Sequence, residues 1–112
     1  MKVIDVSPSD TEHIDAYASS GAHSMKLADG FGESHVYYLH FESNSIIGEH
    51  EAGFGQLFVV IEGSGWVAGA DGARIPIQTG QTAVIERGEM HSKGSDPGMT
   101  VVMIQMRNMA IV

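Results

Sequence analysis

An all-β sandwich or barrel is the fold class this sequence predicts, and three observations carry the prediction. Short runs of β-branched and aromatic residues recur along the 112 residues, turn signals separate them at short intervals, and no helical period crosses the centre. Fourteen glycines suit many short strands joined by tight turns. A chain of this length is expected to form one domain, residues 1–112, because two halves would each bury too little surface to be stable.

The elements follow in order. Ser9 stands three residues before Glu12, the spacing of a capping box, so the segment from Ser7 to about Tyr17 reads either as a short helix or turn or as an irregular arm. Strands are expected over His23–Leu27 and His35–Phe41, with Ala28-Asp29-Gly30 as the turn between them. Gln56–Ile61 is apolar on both faces: Gln56, Phe58 and Val60 share one side, and Leu57, Val59 and Ile61 take the other. Such a strand needs cover on both sides, from a second sheet or from a partner copy, and a homodimer is expected on that ground. Trp66–Gly69 and Ala73–Ile77 flank Ala70-Asp71-Gly72, a hairpin signal. Gln81–Ile85 and Met99–Met106 complete the strand set.

Composition narrows the function classes. Fourteen acidic residues against six basic ones leave a formal charge of −8, which repels nucleic-acid backbones and anionic membranes, so neither is an expected partner. With no cysteine, disulfides and thiolate metal sites are unavailable. Met1-Lys2-Val3 does not open a signal peptide, and Leu57–Ile61 is too short to span a bilayer, so a cytoplasmic location is expected. No nucleophile elbow, P-loop or dinucleotide fingerprint is present, and Gly53-Phe54-Gly55 lacks the following helix that a phosphate loop needs.

Two histidine-centred blocks carry the remaining signal. The first runs from Asn44 through Gly48-Glu49-His50-Glu51-Ala52 and Gln56 to Gly63; the second runs from Gly80 through Glu86-Arg87-Gly88-Glu89-Met90-His91 to Ser95. Together they resemble the two signature motifs of the cupin superfamily, with motif 1 at about 44–63 and motif 2 at about 80–95. His50, Gly63, Gly80, Gly88 and His91 match in identity and spacing. Ala52 stands where the second histidine is expected, Gln56 where the glutamate is, Glu86 where the proline is and Ser95 where the asparagine is. Asn44 replaces the first glycine, a mild change because Asn tolerates a left-handed backbone.

The resemblance implies a double-stranded β-helix, or jelly roll, whose interior can hold a divalent ion (Fe, Mn, Ni, Zn or Cu). By carry-over the ligands are His50, Gln56 and His91, two imidazoles and a neutral oxygen, with waters at the open positions. His40 is a candidate to restore a third imidazole. It reaches the interior if Val36, Tyr38 and His40 point inward, and it does not if His35, Tyr37, Leu39 and Phe41 do. Ala52, Phe58, Tyr38, Trp66 and Glu89 are the expected pocket lining. Glu89 and Lys93 flank His91; both read as solvated rim residues, with a general base as the other role for Glu89.

Two functions are compatible with these residues: a small metal-binding barrel, acting or not acting as an enzyme on a small organic molecule, and a metal-free barrel that binds or senses one. A third possibility is a structural dimer without an accessible pocket. The scaffold alone does not choose among them.

Overall fold

The computed structural model describes residues 1–111, with side chains through Ala110. These residues form β1 (Lys2–Asp5), a 3-10 turn (Pro8–Asp10), β2 (Glu12–His13), β3 (His23–Ser24), β4 (Ala28–Phe41), β5 (Ser45–Glu51), β6 (Gly55–Ala68), β7 (Arg74–Gln78), β8 (Gln81–Ile85), β9 (Met90–Ser95) and β10 (Met99–Ile111). The architecture is the jelly-roll barrel that the two motifs imply.

Its organising element is β6. The first half of this strand pairs with β8 and β10, with β1 outside β8 and β4 outside β10, which gives the order β1-β8-β6-β10-β4. The second half pairs with β7 and β9, and β9 pairs with β5. All pairs are antiparallel, and the two curved faces enclose one core. The change of face falls near Gly63, where the register against β10 slips between Thr100 and Val101. Gly63 has φ +85°, and a Cβ there would run into the backbone carbonyl of Gly98, so the crossing requires glycine.

Alternation along β6 sorts its side chains as the sequence predicts. Phe58 and Val60 join Phe41, Val67, Ile77, Ala83, Met99, Val101 and Met103 in the buried core. Phe41 and Phe58 meet edge to face, with ring centres 5.9 Å apart. Full burial of Phe58 contributes about 2–3 kcal/mol, and truncating it to alanine would cost about 3–5 kcal/mol once the cavity is included.

The opposite face of this sheet is apolar and partly open. Register places Val59, Val102 and Tyr38 in one row and Leu57, Ile104 and Val36 in the next. Leu57 is buried, but Val36 and Tyr38 on the edge strand are 69% and 70% exposed, and Ile61 is 48% exposed.

The local expectations fare unevenly. The Asp71-Gly72 hairpin forms between β6 and β7, closed by a Gly72 N–H to Gly69 carbonyl bond of 3.0 Å. Ala28-Asp29-Gly30 is not a turn: it pairs with Met109–Ile111 of β10, so β4 runs unbroken for 14 residues and cross-strand pairing overrides the local turn propensity. At the N-terminus the Ser7 hydroxyl donates to Asp10 at 2.9 Å and the Thr11 N–H to the Pro8 carbonyl, which closes only a 3-10 turn. Glu12 then enters β2 instead of a helix.

Candidate functional site

The two motifs meet where β5 lies against β9. The register sets His50 directly opposite His91, and their rings lie with centres 4.4 Å apart, tilted by 55°. Asn44, with φ +58°, makes the left-handed step into β5 that its place in motif 1 requires. His50 is exposed, and its Nδ1–H donates to the Gly48 carbonyl at 2.8 Å, which leaves Nε2 as the free ring nitrogen. His91 is fully buried, and neither of its ring nitrogens has a hydrogen-bond partner. Burial pushes its pKa down to about 4, with the nearby charges of Lys93 and His50 acting in the same direction and Glu89 opposing them. At neutral pH the ring is uncharged.

Period-two alternation along β9 aims His91, Lys93 and Ser95 to one side. Lys93 is therefore an interior residue and not the solvated rim residue that the sequence suggests; it is 2% exposed. Its Nζ donates to Gln56 Oε1 at 3.0 Å and to Met103 Sδ at 3.6 Å, and it lies 4.6 Å from the centre of the Phe58 ring. Burial lowers its pKa from 10.5 to about 8. The sequence holds one signal for this placement, the His91-x-Lys93-x-Ser95 alternation. The absence of apolar residues at these positions hides it, because an interior face is normally recognised by its hydrophobicity.

This arrangement tests the ligand set that the resemblance implies. His50 and His91 do come together, but the carbonyl oxygen of Gln56 is taken by an ammonium group. A cation about 4 Å from a bound ion would oppose it by about 4 kcal/mol per unit of charge at an effective dielectric near 20. Among the described residues no three His, Cys, Asp or Glu side chains gather as a metal-ligand group. The residues present do not fit a divalent ion held by His50, Gln56 and His91, because Lys93 already supplies positive charge at that oxygen.

The other candidates are placed as follows. His40 pairs with Thr100 and is exposed, on the same face as Val36 and Tyr38, while Phe41 points into the core. It therefore supplies no third imidazole, and Tyr38 lines no interior pocket. Trp66 lies opposite Gly94 and is buried, although its neighbour Val67 is the one that joins the main core cluster. The Arg74 guanidinium caps it at 3.8 Å from the ring centre. A Cβ on Gly94 would come within 2.6 Å of that indole, so glycine at 94 is what lets Trp66 lie flat on the strand.

Phe58 is buried in the packed core, and Ala52 is buried in a loop clasp, its N–H donating to the Glu89 carbonyl and its carbonyl accepting from the Gly88 N–H. The Glu89 carboxylate is engaged by the Met1 amino group and by the Glu86 N–H at 2.9 Å, so it is not a free base. One surface cleft, of about 490 Å³, lies beside Phe31, Arg87 and Arg107, away from the histidine pair.

The comparisons with known proteins agree with this geometry. No curated protein matches the chain. Solved structures do: a cupin-like protein from Thermotoga maritima (TM-score 0.64, 15% identity, 88% of this chain and 89% of that one) and a cupin superfamily protein from Desulfitobacterium hafniense (TM-score 0.62, 10% identity, 96% and 100%). A cupin-2 domain containing protein from Shewanella frigidimarina also matches (TM-score 0.58, 23% identity, 71% and 79%). At these identities the likeness shows the fold. The model of the AraC-like ligand binding domain matches residues 31–111, from within β4 to the end of β10. The chain belongs to the AraC-like ligand binding domain family of the cupin superfamily.

Proposed function

We propose that this domain binds a small organic molecule in its barrel without a resident metal ion. The observation that carries the reading is the Lys93 Nζ bonded to Gln56 Oε1 at 3.0 Å: a protein cation holds the oxygen that a metal would need. The family supports it, because the matching description is of a ligand binding domain. The state of Glu89, the carboxylate two residues before His91, supports binding over acid–base catalysis, since both its oxygens are engaged. Two buried groups have hydrogen-bonding capacity to spare, His91 and Lys93, and these would meet the ligand.

A metal-dependent enzyme is the second reading, and the close His50–His91 pair is the observation that favours it. Elemental analysis of protein purified without chelators or a histidine tag separates the two. The expected result is metal well below one ion per chain, with no saturable heat on titration with zinc, manganese or nickel. One ion per chain, lost in His50→Ala, would overturn the metal-free reading.

A further inference from the structure

The interior site is unbalanced in its hydrogen bonding. Lys93 has three N–H donors; one meets the Gln56 amide oxygen, one meets the thioether of Met103, and the third has no acceptor. His91 has a ring N–H and a ring lone pair, both buried and both unpartnered. Groups left in this state cost free energy, and native interiors seldom hold two of them side by side without a partner that arrives from outside. What is unmet is two N–H donors, a positive charge and one imidazole lone pair. Glu89, two residues before His91, is turned to Met1 and Glu86 and does not complete the set.

The complement of one ammonium N–H and one imidazole N–H, both buried on the same side of β9, is a planar anion with two acceptor oxygens. We infer that the barrel of this protein binds the carboxylate of a small organic acid, one oxygen on Lys93 Nζ and the other on a ring N–H of His91. This rests on the metal-free reading above, since an ion on His91 would occupy the same nitrogen. The surroundings define the rest of the ligand. Phe58, Met103 and Val67 form the walls beside Lys93, so the tail of the acid is apolar, and the dense packing of the interior keeps it short. Access runs past His50, whose exposed ring lies on that of His91 and is held by a single hydrogen bond to Gly48. Rotation of that ring uncovers His91.

Titration calorimetry at pH 7, in chloride buffer free of other carboxylates, tests the inference with butanoate and its uncharged isostere butanamide as probes. The parent protein is expected to bind butanoate at least about 100-fold more tightly than butanamide, because only the anion completes charge-assisted bonds in a dry site. Lys93→Met is expected to lose that preference. Should the variant fold poorly, the His91 ring resonances of the parent keep the test open: they are expected to shift with butanoate and not with butanamide. Equal binding of both probes, no binding of butanoate, or butanoate binding unchanged in Lys93→Met would overturn the carboxylate assignment. One zinc ion per chain displaced from His91 would instead overturn the metal-free reading beneath it.

Discussion

Replacing Lys93 with methionine should change how stability depends on pH. In the unfolded chain this amine titrates near 10.5, and in the folded barrel burial brings it to about 8. Between these values the unfolded state binds the proton that the folded state has released, so stability rises with pH across that window. The drop from 10.5 to about 8 corresponds to about 3 kcal/mol, a cost that is fully present below pH 8 and relieved above pH 10.5. With Lys93 only 2% exposed, solvent screening does not discount this figure. Methionine, of similar length, removes the charge but leaves Gln56 Oε1 buried and unpaired, which returns about 1–3 kcal/mol of penalty. Lys93→Met should therefore be near neutral or up to about 2 kcal/mol more stable than the parent at pH 6.5. By pH 10.5 that difference should have fallen by about 3 kcal/mol, making the variant the weaker of the two. Urea denaturation followed by the fluorescence of Trp66, the single tryptophan, measures both proteins at fixed concentration. A stability difference that stays constant from pH 6.5 to 10.5 would mean that Lys93 is solvated, and would refute the reasoning.

Other expectations follow from the same structure. His91 titrates near 4 when folded and near 6.5 when unfolded, so the protein should lose up to about 3 kcal/mol as pH falls through that interval; urea midpoints should show the loss in the parent and a smaller one in His91→Phe. Gln56→Glu should hand Lys93 a carboxylate and leave zinc affinity unchanged, whereas Gln56→Glu with Lys93→Met should gain measurable zinc binding by calorimetry, since only then are two imidazoles and an unpaired carboxylate left together. Equal zinc binding in both variants would show that Lys93 does not control the site. Finally, the open rows at Val36, Tyr38 and Ile61 are expected to close in a homodimer, and Val36→Glu with Tyr38→Lys should move the sedimenting species from dimer to monomer; a monomeric parent at high concentration would remove that expectation.

Much of the fold is written in the sequence because it depends on local pattern. The alternation of Gln56–Ile61 and the Asp71-Gly72 turn each specify their own element, and the resemblance of the two histidine blocks to the cupin motifs implies the meeting of His50 and His91 that β5 and β9 show. Positions set by contact between distant segments are not legible in that way. Whether His40 or Leu39 faces inward depends on the register of β4 against β10, and a one-residue shift exchanges every side chain between faces. The same holds for Trp66, buried beside Gly94 and capped by Arg74, and for Asp29-Gly30, drawn into a strand by the end of β10. Lys93 is the sharpest case. A charged residue near a strand end usually reaches water, and only the closing of β9 over Gln56, Phe58 and Met103 buries this amine and puts it on the oxygen that the motif reserves for a metal. The sequence thus determined an all-β sandwich or barrel through periodicity, and the resemblance of its motifs implied the jelly roll and the meeting of its two histidines. Only the tertiary structure decided that Lys93 lies buried against Gln56, because burial and charge pairing are properties of segments brought together and not of any segment alone.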